Sequence, residues 1–489
     1  MKPQSILRSH LIRVLALLLA ALTVLSAVAC GAPVEDAGSD TDTDQAVTEA
    51  TTEYKPDIAV KDYDCDFNFV ASGSSVPRDV IAIESLEDSE AGDLETAVYE
   101  RGLKLMDHLG VTLVYQDAGD WIAYAANVSK TVQAGEDAYQ MVLTHVYQGV
   151  TDLITHNALY DIGALDSVNL DAPYWATDLM EEVKVNDKYL IGYNDFCLAD
   201  VKILVFNKNL MNQYNMTAPY DSVINKTWTL DKLIEMASTV SADNGDGKWD
   251  TQDTYGISGW GWVPLISFIT SSNMKIVDRD DTDYFKLAYE NNSEKIISLI
   301  DKIMAMYQAD YSYFWKSTDN GSAEKMIKFS DGKTLFQLTD NKALVSLREE
   351  DIRFGILPYP LWDENQTEYK SLNWNGIFGV PGSIKNPEMV GDVLELMGYY
   401  TADVKTAYYE KLLGSKLAES PEDAEMLDII WNSQVSDVGL IACNSSGQMD
   451  ALVYMIPKMC EAKKANFSSY MRQNGKGAQK GLDKVFGQE

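Results

Sequence analysis

Between residues 66 and 144, short apolar β-rich runs alternate with segments of helical period, and few architectures accommodate that order. Asp66-Phe67-Asn68-Phe69-Val70 and Val80-Ile81-Ala82-Ile83 read as strands. Over residues 93–108, Leu94, Ala97, Val98, Leu105 and Met106, with Leu109 just beyond, share one helix face, and Gly110 ends the helix. A strand over 111–115, a helix over 123–134 and a strand over 139–144 follow. The pattern predicts an α/β fold with a parallel sheet.

At 489 residues the chain exceeds what one hydrophobic core organises, and 46% hydrophobic composition supplies two. Acidic residues outnumber basic ones 74 to 40, a net charge of -34, which repels phosphate backbones and excludes nucleic acid as a partner. Cys65, Cys197, Cys443 and Cys460 form no CxxC or metal pattern; free thiols and a Cys443–Cys460 bridge are equally compatible with their spacing.

The N-terminus carries Lys2, Arg8 and Arg13 before an apolar run ending Ala27-Val28-Ala29-Cys30-Gly31. This reads as a signal peptide over 1–29 with a cysteine at the cleavage point, and the run is short for the roughly 20 residues of a membrane span. It is similar to the bacterial lipobox, with Ala27 where leucine is usual, so the expectation is lipidation of Cys30. Residues 30–57 are rich in Asp, Glu, Thr and Ala and poor in large apolar groups, so they read as a disordered acidic tether.

Further along, 189–195 and 201–208 read as strands, and 284–289 and 293–307 as helices. Asn386, Pro387 and Glu388 open another helix, and the C-terminal part from 424 to 485 reads as mostly helical. Within the stretch from Trp228 to Gly259, Thr229 is placed to cap a helix whose Leu230, Leu233, Ile234 and Ala237 share a face. An acidic glycine loop follows. Asn244, Asp246, Asp250 and Asp253 take positions 3, 5, 9 and 12 of a calcium-type loop, with Ala242 at position 1 where a carboxylate is needed. Structural Ca2+ and a metal-free turn held by Asn/Asp-Gly chemistry are the two readings.

Catalytic patterns are mostly missing. The histidines are His10, His108, His145 and His156, none in metal spacing, and there is no GxSxG elbow or phosphate loop. Aromatic residues are the positive signal: ten Trp and 27 Tyr offer faces that stack on sugar rings while Asp and Asn bind hydroxyls. Trp260 and Trp262 lie in a glycine-flanked segment, Trp374 sits between Asn373 and Asn375, and Asp195 follows a strand; cores and turns are the competing roles for each.

Taken together, LVFNKNLMNQYN, WTLDKLIEMA with NGDGKWDTQDTYGISG, FGILPYP with DENQTEYKS, GVPGSIKNPEMV and AQKGLDKVF, in that order, resemble the extracellular solute-binding proteins of bacterial ABC importers, sugar-binding family 1. The resemblance implies a two-lobe periplasmic-binding-protein-like fold (type II) with the ligand cleft between the lobes. It implies lobe 1 from 58–200 and 362–430, and lobe 2 from 201–361 and 431–489. By position it implies ligand contacts from Asn194, Asp195, Trp260, Trp262, Asn373 and Trp374. It further implies no cofactor, a monomer, a carbohydrate ligand (an oligosaccharide), and an ABC permease partner, on a protein anchored outside the cytoplasm. A cell-surface glycan-active enzyme and a ligand receptor for a sensor kinase are the alternatives.

Overall fold

The computed structural model describes residues 54–487 apart from 72–79, 87–91, 120–122, 199, 291–292, 375, 414–420 and 446. The expected signal segment, Cys30 and the tether as far as residue 53 lie outside these residues.

The early strand and helix alternation builds the first sheet. Its order is Ile377–Gly379, Met141–Thr144, Cys65–Ala71 and Val111–Gln116. The three N-terminal strands are parallel, with Phe67 opposite Leu113 and Phe69 opposite Met141, and Ile377–Gly379 joins antiparallel. The helix Asp93–Leu109 packs on this sheet through Leu94, Val98, Leu105 and Leu109. It stops at Gly110, whose φ of 65° is the left-handed conformation that glycine adopts without strain.

The second sheet runs Phe354–Leu357, Lys202–Asn207, Thr334–Asp340, Thr254–Trp260 and Ser241–Ala242, and Ser312–Trp315 also pairs with Thr254–Trp260. Thr254–Trp260, Ser312–Trp315 and Thr334–Asp340 are parallel to one another, and Lys202–Asn207 is antiparallel to its neighbours. The expected helix before the acidic loop is Leu230–Ala237; the Thr229 hydroxyl accepts from the Lys232 N–H at 3.2 Å and Leu233 is fully buried. Pro387–Tyr399 is likewise capped by Asn386, which accepts from the Met389 N–H.

Three expected elements are different. Residues 80–83 form no strand, because the Arg101 guanidinium takes the Val80 and Ile81 carbonyls at 2.6 and 2.8 Å and withholds them from a ladder. Residues 189–195 contribute isolated bridges only, and Asn194 turns its side chain to cap the 3-10 turn Asp195–Cys197. Where 284–289 reads as helix, Phe285–Leu287 pairs antiparallel with Val277–Arg279, and the Leu287 N–H donates to Gln479 Oε1. The four described cysteines are free thiols, so no Cys443–Cys460 bridge forms.

Three segments connect the sheets and are laced to each other. Trp374 N–H donates to the Asp200 carbonyl at 2.9 Å, Ser371 N–H to Ser433 at 2.8 Å and Asn373 N–H to Val435 at 3.1 Å. Ser371–Leu372 and Gln434–Val435 pair in parallel. Before reaching 371 the chain stays with second-sheet elements: Leu361 N–H donates to the Trp228 carbonyl, and the Tyr369 hydroxyl to that of Val223.

A methyl group at Gly256 would run into the Ala237 carbonyl of the neighbouring helix, whereas one at Gly102 meets nothing within 4 Å. Gly256→Ala should therefore cost about 1–3 kcal/mol. Gly102→Ala, inside a helix, should gain about 0.5–1 kcal/mol. Denaturant unfolding of the two variants checks both signs.

Candidate ligand cleft

Parallel strands direct their carboxyl ends, and the loops leaving them, to one edge of a sheet, where α/β proteins bind ligands. Here those ends are Ala71, Gln116 and Thr144 in the first sheet and Trp260, Trp315 and Asp340 in the second. Residues that follow Thr144 and Trp260, with the crossover residue Trp374 and with Tyr454 between two C-terminal helices, form a connected group of rings. His145 meets Trp374 edge-on with centroids 5.7 Å apart. Tyr147 stacks beside Trp374 at 6.3 Å and meets Tyr454 edge-on at 5.8 Å. Tyr454 stacks on Trp262 at 4.7 Å with only 16° between the planes. One continuous ring path thus runs from the first sheet's edge to the second's. Two hydrogen-bonded contacts lie beside it: Thr151 Oγ1 donates to the Ile441 carbonyl at 2.5 Å, and Asn444 Nδ2 to the Tyr147 carbonyl at 2.5 Å.

Charges below the rings are paired. Lys202, 7% exposed at its side chain, lies 3.3 Å from both Asp200 and Asp340, and Lys342 lies 3.1 Å from Asp200. Burial opposes the ionisation of Asp200, but Lys202 and Lys342 outweigh it and hold the carboxyl below its ordinary value. Burial likewise opposes the charge on Lys202, and Asp200 and Asp340 overcome it, so this lysine stays protonated. Its ammonium sits 5.8 Å from the Trp374 ring centroid. Burial pushes His145 down to about 4, so the imidazole is neutral at pH 7 and its Nδ1 accepts from the Tyr147 N–H. Burial also raises the Tyr147 hydroxyl to about 12 and Tyr454 further still, leaving both as neutral donors.

The six residues expected to touch ligand separate into groups. Trp262 and Trp374 enter the ring path. Trp260 ends its strand opposite Trp315, and its indole N–H is buried without a hydrogen-bond partner. Asn194, Asp195 and Asn373 line a different cavity, behind the crossovers. Tyr147, His145, Lys202 and Tyr454 were not singled out as ligand contacts. The first two were accessible from sequence, because His145-Val146-Tyr147 directly follows a four-residue apolar strand; Tyr454 lies far along the chain with no local signal.

In the acidic loop, carboxylates face backbone donors. Asp253, 1% exposed, accepts from the Asn244 and Asp250 N–H groups at 2.8 and 2.7 Å through separate oxygens. Asn244 accepts from Asp246, Asp246 from Lys248, and Asp250 from Gln252. Among the described residues no three His, Cys, Asp or Glu side chains gather to hold a metal ion.

The family model for bacterial extracellular solute-binding proteins matches residues 105–415, well over half of the chain, and the protein belongs to that family. Solved structures share the fold at low identity. An ABC substrate-binding protein from Listeria monocytogenes, in complex with cycloalternan, is 10% identical over 86% of this chain and 99% of its own, with a TM-score of 0.55. The GacH receptor of Streptomyces glaucescens, solved unliganded and with acarbose, is 13% identical over 86% and 98%, at 0.56. A solute-binding protein from Thermotoga lettingae bound with α-D-tagatose is 13% identical over 85% and 99%, at 0.53. No curated protein sequence matches the chain. The architecture is therefore the two-lobe one, and the protein is a bacterial extracellular solute-binding protein.

Two expected outcomes follow from the site's chemistry. An unfolded imidazole protonates near pH 6.5, but folded His145 does not until about 4, so stability falls on acidification through that window by up to about 1.4 kcal/mol per pH unit. Asp437 works against it: burial raises its carboxyl to about 6 from 3.8, so folding gains stability as pH falls between those values. Unfolding curves of His145→Gln and the parent at pH 4.5 and 7 isolate the first effect, and the variant should gain on the parent at the lower pH. In the loop, Asp253→Ala should cost about 1–3 kcal/mol by orphaning two donors. The loss should be the same in melts with calcium and with chelator if the carboxylate holds the backbone alone.

Proposed function

We propose that this protein is a lipid-anchored extracytoplasmic receptor that captures a carbohydrate, an oligosaccharide in particular, by lobe closure and delivers it to an ABC permease. The observation carrying the reading is the ring path Trp374–Tyr147–Tyr454–Trp262 at the carboxyl edges of both sheets. Trp262 and Tyr147 are partly exposed and offer ring surface to the C–H faces of pyranose rings, while the buried Trp374 and Tyr454 stacked against them fix their positions. Neutral His145 and the tyrosine hydroxyls supply uncharged hydrogen bonds, and the lysines and aspartates beneath are already paired, which favours a neutral solute. Saccharides named with the three similar structures, cycloalternan, acarbose and tagatose, agree with this class.

Capture follows from geometry. A solute held between rings of the two lobes contacts both only when they are close, so binding free energy favours the closed form by its differential affinity. The permease then recognises a closed receptor. The lipobox-like sequence at Cys30 and the acidic segment after it support a tether to the membrane, with 1–29 removed as signal peptide. Lobe 1 comprises 58–200 with 371–413, and lobe 2 comprises 201–370 with 421–489, pivoting on the laced crossovers; the bonds of Tyr369 to Val223 and of Asp423 to Lys208 and Ile356 support moving 362–370 and 421–430 out of the expected first lobe. For the acidic loop the bonding favours the turn over the calcium site, since Asn244, Asp246, Asp250 and Asp253 accept backbone N–H groups. No feature specifically favours an enzyme or a sensor-kinase receptor.

Thermal-shift screening across mono- and oligosaccharides should find stabilisation; a response to peptides or polyamines alone would overturn the sugar assignment. With the sugar so found, Trp262→Ala should weaken binding by about 1–3 kcal/mol, and the shape-sparing Trp374→Phe by less. Titration calorimetry measures both, and unchanged affinity in the pair would place the ligand elsewhere.

A further inference from the structure

Behind the crossovers, on the side away from the ring path, lies a cavity of about 520 Å³. The volume is within the range of small-molecule sites. All three connections contribute to it: the 194–198 turn, the 373–376 segment and the end of the helix Pro421–Asn432 with Gln434. Trp431 stands in its wall, partly exposed. Its ring neighbours Tyr408 and Tyr409 are tilted by 58° and 57°, so neither stacks on it. Across the cavity Lys405 and Asp195 form an ion pair at 2.9 Å with about a third of each side chain exposed. Two more wall residues carry buried polar atoms without partners, Nδ2 of Asn194 and Oδ1 of Asn373, one donor and one acceptor.

We propose that this cavity is a second binding site, for a compact neutral polyol one or two sugar rings in size, and that its occupancy biases lobe closure. Trp431 supplies a ring face for stacking. The ion pair offers a donor and an acceptor to hydroxyls without demanding a charged ligand. Asp178 at the rim disfavours anions such as acidic sugars and phosphates. The coupling follows from position: the walls are the segments that must change when the lobes move, so a molecule seated on them has different affinities for the open and closed forms. The site does not depend on the assignment of the ring path as the sugar cleft.

Calorimetric titration with myo-inositol, methyl α-D-glucopyranoside and trehalose tests it, using the parent, a Trp262→Ala/Trp374→Phe variant and Trp431→Ala. At least one probe should bind saturably to the cleft variant, and Trp431→Ala should weaken that binding tenfold or more. Lys405→Met, which removes the donor of the ion pair from a partly exposed side chain, serves if Trp431→Ala unfolds, and should weaken the same probe. In the parent, the bound probe should change oligosaccharide affinity measurably. Absence of saturable binding by all three probes, or binding indifferent to both Trp431 and Lys405, overturns the site; binding without an effect on oligosaccharide affinity overturns the coupling. Failure of the cleft reading looks different, since the cleft variant then keeps its oligosaccharide affinity.

Discussion

The arrangement of the candidate site depends on a few backbone hydrogen bonds where the chain passes between its sheets. The bonds from Trp374 to Asp200, from Ser371 to Ser433 and from Asn373 to Val435 hold three connections edge to edge. Extended residues alternate their side chains between faces, so lacing this segment sends Trp374 to one side and Asn373 to the other. Trp374 consequently meets His145, Tyr147 and the Lys202 ammonium, while Asn373 meets Gln434 and the rear cavity. One short strand thereby partitions the hinge into a front aromatic face and a back polar one.

Electrostatics are divided in the same way. The chain carries a formal charge of -34, yet the buried Asp200 and Lys202 are flanked by the partly exposed Lys342 and Asp340 in an alternating set. A lone ammonium at the depth of Lys202 would lose its proton or destabilise the fold; flanked by two carboxylates it stays charged and fixes the start of its strand. Beside this paired set the candidate site holds rings, tyrosine hydroxyls and a neutral imidazole.

Much of the fold was legible in the chain. The helix Ser293–Tyr307 and the strands around Phe67, Leu113 and Val142 follow from apolar period, and Thr229 and Asn386 cap as their side-chain chemistry requires. The failures have specific causes. Val80-Ile81-Ala82-Ile83 has strand composition, but Arg101 claims its carbonyls; residues 284–289 have helical composition, but a partner strand at Val277–Arg279 and the Gln479 side chain recruit their backbone. In each case a group distant in sequence outcompetes a local preference.

For the site, local sequence identified ring-bearing segments but not their assembly. Trp262 and Trp374 stood out because glycine and asparagine neighbours mark irregular backbone, and this property is local. Tyr454 and Tyr147 join them only because the folded chain brings together positions more than 300 residues apart. Asn194, Asp195 and Asn373 sit near the crossovers in sequence, yet side-chain direction sends them to the rear cavity. Composition, periodicity and capping by themselves determined that this chain is an α/β protein, because burial pattern and helix-end chemistry act within a few residues. Which face of the hinge each side chain occupies, and which rings meet across the lobes, only the tertiary structure decided, because strand register and long-range hydrogen bonds set direction and no local pattern encodes them.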